Sequence, residues 1–372
     1  MNSGQKSSGQ DPTHPVDADL ESLAGLFHPH AIEVQEFSFY ALIVDLRSLA
    51  EFEDDHLPGA VCVPPAVLVS SEGAVGRRSE LLARDSAGPI DLPPALAARV
   101  SEIRLDQAIL VYDGRGGFDS GPVARALRWR GWTVDVLPGG WINYRRWVQA
   151  GLEVVPRAIA FQVIATGLAS ESARVLAGLV NAGQQVLDVA TLAGWRPDAL
   201  TTRATASAAS SPPTQGLFES RLLQALRQFD PRQPVWMAQA PRYLGQLVLP
   251  PALAEALAVA PLATLVCPLA ERIARWREDE PLLDGPVAAI VQAVMAAWPG
   301  AATGWLAAKA DWPDADDLLG GLLADRDAAM LNGQGAQGRP TLPVVATASL
   351  GPDGLRQAIL AWLPLVTLVD RD

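Results

Sequence analysis

Along the chain, short runs of consecutive apolar residues alternate with segments whose apolar positions recur every three or four residues. That alternation predicts mainly parallel strands joined by covering helices, an α/β architecture. Ala41 to Asp45, Ala108 to Tyr112 and Thr133 to Val136 read as strands of a first unit, with a helix over Gly121 to Arg130 between the last two. The joint GLEVVPRA follows, and its Pro156 interrupts any helix that crosses it. A second unit opens with the strand AFQVIAT, a helix over Glu171 to Val180 and the strand QQVLDVA, which together form a βαβ crossover. Further strands are predicted at Pro234 to Met237 and Ala263 to Cys267. Residues 286–330 read as helical, and TLPVVATASLGPDGLRQAILAWL as a last strand, turn and helix. The expected layout is a disordered leader over 1–30, one domain over 31–152 and another over 158–372, with a mobile Ser-, Thr- and Pro-rich loop at 201–215.

Composition narrows the picture. A length of 372 residues suits about two domains, and 49% hydrophobic with 19% charged residues is globular. With 41 acidic against 29 basic residues the net charge is −12, which repels polyanions and disfavours generic nucleic-acid binding. Cys62 and Cys267 sit far apart in apolar runs and read as reduced, buried packing residues. The leader lacks a signal-peptide core, and no run approaches the ~18 apolar residues of a membrane helix. A cytoplasmic protein without a membrane segment is expected.

The stretch ALIVDLRSLAEFEDDHLPGAVCVPP, followed about fifty residues later by ILVYDGRGGFDSGPVARALRWRGWTVDVLPGGWINYRRWV, resembles the two halves of a rhodanese domain. Arg-Gly-Gly-x-x-Ser and Tyr-Arg-Arg-Trp-Val narrow the resemblance to tRNA 2-selenouridine synthase, in which a rhodanese domain precedes a P-loop domain. AFQVIATGLASESARVL lies where that family carries its phosphate loop, and FESRLLQAL and PVWMAQAPRYLGQLVLPPAL keep the spacing of later motifs. The resemblance implies a rhodanese-like domain with a parallel sheet, then a P-loop NTPase-like α/β domain with a helical C-terminal elaboration. It also implies sulfur-to-selenium exchange on a wobble 2-thiouridine of tRNA, using selenophosphate and a geranylated intermediate.

At both chemical centres the residues depart from that family. A rhodanese loop aims backbone N–H groups at a cysteine thiolate or bound anion. Here Asp113 stands at the cysteine position, followed by Gly114, Arg115, Gly116, Gly117, Phe118, Asp119 and Ser120, with Asp119 where the family has a second arginine. A carboxylate forms no chalcogen chain. Asp113 is therefore expected to accept hydrogen bonds from its own loop or to cap the next helix, rather than to act as a nucleophile or metal ligand. In the phosphate loop, Gly167, Ala169, Ser170, Glu171, Ser172 and Ala173 replace most of the pattern: Glu171 stands for the second glycine, Ser172 for the lysine and Ala173 for the hydroxyl residue. Glu171 would set a carboxylate where a pyrophosphate belongs.

Around the surviving Arg242 and Gly245, Ala238, Gln239 and Ala240 replace family acids; Arg242 is read as a structural ion pair and Gly245 as a turn. Arg125, Arg128, Arg130, Arg145 and Arg146 form a candidate basic patch, balanced by Glu51, Glu53, Asp54 and Asp55. Tryptophans such as Trp129, Trp132, Trp141 and Trp147 are read as core and interface packing residues rather than as a base-stacking platform. No cofactor or metal is expected. The leading reading is a catalytically inactive binding or regulatory relative that acts through a protein partner; tRNA is implied by the resemblance and disfavoured by charge. Two alternatives stay open: an active transferase with relocated or partner-supplied residues, and an anion sensor built on the loop amides and Arg115.

Overall fold

The computed structural model describes residues 37–64, 92–196, 199–200, 212–298, 312–332 and 339–369. The 1–30 leader and most of the 201–215 loop lie outside them. The chain divides into two compact units, Met1–Trp147 and Val148–Asp372.

In the first unit, β1 (Tyr40–Asp45), α1 (Leu49–Asp54), β2 (Ala60–Cys62), α2 (Pro94–Ser101), β3 (Ala108–Tyr112), α3 (Ser120–Trp129) and β4 (Thr133–Val136) follow one another, and α4 (Gly140–Val154) begins in the first unit and ends in the second. Among the described residues, its strands form one parallel sheet of order β2-β1-β3-β4. The central strand β3 is buried at every residue, as its unbroken apolar run requires. Val44, Ile109 and Val111 pack with Leu127 of α3 and Leu96 of α2, and each such burial stabilises by roughly 1.5–3 kcal/mol. Ser48 and Glu51 cap α1 reciprocally, which explains why a helix starts directly after β1.

The second unit contains β5 (Phe161–Ala165), α5 (Ala169–Asn181), β6 (Gln185–Leu187), α6 (Val189–Ala193), α7 (Gln215–Leu226) and β7 (Val235–Ala238). The hairpin β8 (Tyr243–Leu244) and β9 (Leu247–Val248) follows, then α8 (Pro251–Val259), β10 (Leu262–Val266), α9 (Leu269–Asp279), α10 (Val287–Ala297), α11 (Ala315–Asn332), β11 (Val345–Ala346) and α12 (Pro352–Val369). Its sheet is parallel, in the order β11-β10-β5-β7-β6 among the described residues. After β5 the chain leaves towards β6, and after β7 it crosses to the opposite side of β5. A crevice therefore opens beyond the carboxyl ends of β5 and β7, the usual ligand position in such sheets. There a cleft of about 1280 Å³ is lined by Thr166 after β5, Asp188 after β6 and Ala238 to Arg242 after β7.

The strand expected over QQVLDVA stops at Leu187, because Asp188 accepts from the Thr191 backbone N–H and starts α6. The helical stretch expected over 286–330 resolves into α10 and the first part of α11, with 299–311 outside the described residues. Trp236, Trp276 and Trp362 are fully buried, whereas Trp129 is 71% exposed and lies outside the core. Cys62 and Cys267 are only partly buried. Among the described residues, no helix is long and apolar enough to cross a membrane.

Candidate functional site

The turn from β3 into α3 contains the first candidate centre. Asp113 is 3% exposed, and its carboxylate faces the loop that follows. Oδ1 accepts from the backbone N–H of Arg115 (2.9 Å) and of Gly116. Oδ2 accepts from the N–H groups of Gly117 (3.1 Å), Asp119 (2.9 Å) and Ser120 (3.1 Å), and from the Ser120 hydroxyl (3.0 Å). Burial alone would raise the Asp113 pKa, but the donors of Ser120, Gly116 and Asp119 outweigh it and hold the carboxyl below its usual range. The loop is thus an anion-binding nest whose anion belongs to the chain itself. The amides that an external anion would use are already bonded to Asp113.

Gly139 and Gly140 close the nest from outside. Gly116 has φ +82°, and a Cβ there would lie 2.6 Å from the backbone nitrogens of Gly139 and Gly140. Gly140 has φ +58°, and its Cβ would overlap the Asp113 carbonyl oxygen, which accepts from Trp141 N–H at 2.9 Å. Gly140→Ala combines left-handed backbone with backbone overlap, so a loss of more than about 2 kcal/mol is expected in urea unfolding. A loss under about 0.5 kcal/mol would show that the loop gives way freely. Beneath the loop, Arg47 binds Asp45 through Nε and a terminal nitrogen (3.1 and 2.6 Å), donates to Asp55 O (2.6 Å), and lies 4.7 Å from the centre of the Trp141 ring. The Tyr112 hydroxyl donates to Asp45 at 2.5 Å and accepts from Leu57 N–H, which ties the end of β3 to the segment after β1. The Asp-x-Arg motif serves architecture.

The second candidate centre lies between β5 and α5. Thr166, Gly167 and Leu168 alone separate strand from helix, so Ala169, Ser170, Glu171, Ser172 and Ala173 are already helical. No wrapped loop is left to enclose a phosphate. The Ser172 hydroxyl bonds Thr166 and Leu168 O, and Glu171 is buried against Arg272 of α9 (2.6 and 3.0 Å). Arg272 also holds Asp327 of α11 (2.8 and 2.9 Å), whose carboxylate fills the space a Gly167 side chain would need. Burial, aided by nearby Asp327, raises the Glu171 pKa against the pull of Arg272. Burial works to lower the Arg272 pKa, yet its two carboxylate partners raise it. One cation between two acids accounts for both directions.

Sequence reasoning placed Glu171 but missed Arg272 and Asp327. A buried carboxylate demands a cation somewhere, yet nothing in local spacing says which of the many arginines supplies it.

The remaining candidate residues are spread out. Arg128 donates to Val134 O (2.7 Å), Arg130 to Ala126 O (2.9 Å), and Arg145 pairs with Asp55 (3.2 Å). Those three serve the first unit's structure, while Arg115, Arg125 and Arg146 are exposed. Gly245 has φ +67° in the β8–β9 turn. Contrary to the expected ion pair, Arg242 has no carboxylate partner among the described residues; it lies beside the Tyr243 ring and lines the cleft. Burial raises the Cys62 thiol pKa, and burial with Glu271 and Glu171 nearby pushes Cys267 up to about 11, so neither is a ready thiolate. Among the described residues no His, Cys, Asp and Glu cluster has the makings of a metal site.

Residues 31–146 match the family model described as Rhodanese-like domain. A search of curated proteins finds no match. Among solved structures, a Bacillus halodurans protein aligns at 16% identity and TM-score 0.23, over 36% of this chain and 82% of that one. The reduced CoADR-RHD of Bacillus anthracis aligns at 18% identity and TM-score 0.22, over 38% of this chain and 22% of that one. The chain carries a rhodanese-like domain within an α/β fold of parallel sheets.

Proposed function

We propose that this chain is a non-catalytic relative of tRNA 2-selenouridine synthase, acting as a binding or regulatory protein through a protein partner. A rhodanese-like domain suggests a sulfur-transfer-related role. The observation that supports loss of the transfer step is Asp113: the nest that would stabilise a thiolate holds a carboxylate bonded to five backbone N–H groups and a hydroxyl. A carboxylate has no lone-pair sulfur with which to accept a sulfane atom. The second unit is read as a degenerate P-loop-like domain, supported by the β5-to-α5 turn in which Glu171 and Arg272 neutralise each other.

The test is thiocyanate formation from thiosulfate and cyanide by the purified full chain. No turnover above the blank is expected from the native protein. Asp113→Cys should take up one sulfur atom from thiosulfate as a persulfide, releasing sulfite, because the same N–H groups stabilise a thiolate. Native turnover would overturn the proposal.

A further inference from the structure

Helix α11 changes character halfway along its length. Its first half is anchored by apolar packing: Leu318, Leu319, Leu322 and Leu323 are fully buried in one cluster with Ile273 and Trp276 of α9 and Ile290 and Val294 of α10. From Ala324 to Ala328, in contrast, no residue is buried. Polar contacts tie this second half down. Asp327 accepts two hydrogen bonds from the Arg272 guanidinium (2.8 and 2.9 Å), and Arg326 stacks 4.3 Å from the centre of the Trp298 ring.

The Asp327 carboxylate rests directly on the β5–α5 turn. A Cβ on Gly167 would overlap that carboxylate and lie 2.7 Å from Arg272 Nη2, so the contact exists only because residue 167 has no side chain. Gly167 does not have left-handed backbone, and alanine is conformationally permitted there. Gly167, Leu168 and Arg326 all line the cleft, so the position of α11 sets how far the cleft opens at this end. The two halves of the Arg272 interaction differ in kind. The Glu171 side chain is 7% exposed and its pair with Arg272 is shielded from salt, whereas the Asp327 side chain is 39% exposed and its pair is screened. The outer pair can break while Glu171 still neutralises Arg272, and the freed Asp327 carboxylate is then solvated by water.

We propose that the second half of α11, from Ala324 onward, is an electrostatic latch over the cleft. Closed, Asp327 sits on Arg272 and covers the β5–α5 turn; open, the turn is uncovered while Leu318 to Leu323 keep the first half of the helix in the core. The latch is independent of whether the first unit transfers sulfur.

Residue-resolved hydrogen exchange on the full chain tests it, with the Leu322 and Leu323 amides as internal reference. In Asp327→Asn the amides from Asp327 to Asn332 and that of Gly167 should exchange roughly tenfold faster, while the reference amides keep their native rates. Asp325→Asn removes the same charge from the same helix and should change neither set. Gly167→Ala should reproduce the Asp327→Asn pattern without removing any charge, because its methyl group displaces the carboxylate. Raising sodium chloride from about 0.05 M to about 1 M, where the screening length falls to ~3 Å, should speed the same amides in the native chain and leave Asp327→Asn unchanged. Native rates at residues 327–332 in Asp327→Asn or in Gly167→Ala would overturn the latch. So would equal acceleration of Leu322 and Leu323, which would mean that α11 opens as a whole or that the unit unfolds. Acceleration by Asp325→Asn equal to that by Asp327→Asn would reduce the effect to helix charge and overturn it as well.

Discussion

Asp113→Ala is expected to destabilise the first unit by about 2–4 kcal/mol and to abolish hydrogen-exchange protection at Gly116, Gly117, Asp119 and Ser120. The native carboxylate satisfies five N–H groups and a hydroxyl, and truncation leaves those donors facing one another around an empty centre. Hydrogen bonds to a charged acceptor contribute roughly 1.5–3 kcal/mol, and each buried donor left unmade costs about 1–3 kcal/mol, partly relieved because the loop reaches solvent. Sulfate or phosphate should restore part of the loss, since an external anion can then take the vacated place. The pH dependence has a definite sign. The folded pKa of Asp113 lies below its ordinary value of 3.8, so its contribution is complete above that value and disappears as pH falls through the folded pKa. The alanine variant should lack this acid-sensitive part. Unchanged amide protection, with a loss below about 0.5 kcal/mol, would show that Asp113 does not organise the loop.

In the second unit, Arg272→Ala is expected to cost about 3–5 kcal/mol, because it strands Glu171 in a buried position next to Asp327. Glu171→Gln in the same chain should recover a substantial part of that loss, since a neutral amide does not need the cation. A double-mutant cycle over the two positions should give a coupling energy of roughly 1–3 kcal/mol in urea unfolding. Additive effects would mean that the pair is an incidental contact. Asp327 is 39% exposed and its removal should matter less, as water can solvate the freed side of Arg272.

Both centres show the same physical event. At each strand-to-helix turn where an α/β sheet holds an anion, this chain supplies a carboxylate of its own, and the surroundings have adjusted to it. Around Asp113 the backbone amides converge; around Glu171 a guanidinium comes in from another helix. The first arrangement is local, since every partner lies within seven residues of Asp113. The second spans 101 residues to Arg272.

That difference in range separates what was legible in the residues from what was not. The strands at Ala108 to Tyr112 and Thr133 to Val136 were readable because a run of apolar β-formers, buried on both faces, leaves little choice of structure. The end of β6 was less readable: QQVLDVA carries an apolar run past Asp188, and a single side chain capping Thr191 overrides it. Asp113 could be assigned to its loop because glycines, Ser120 and a following helix are sequence neighbours, and short-range backbone geometry is written in such neighbours. The strand order β11-β10-β5-β7-β6 and the choice of Arg272 from so many arginines follow from how distant segments pack. Pairing between remote charges depends on where helices sit once their apolar faces are buried, and no local pattern encodes that position. Sequence alone decided which acids stand at these two strand-to-helix junctions, Asp113 in one and Glu171 in the other; only the tertiary structure decided which groups satisfy them, because those partners are brought in by the folding of the loop and by the packing of another helix.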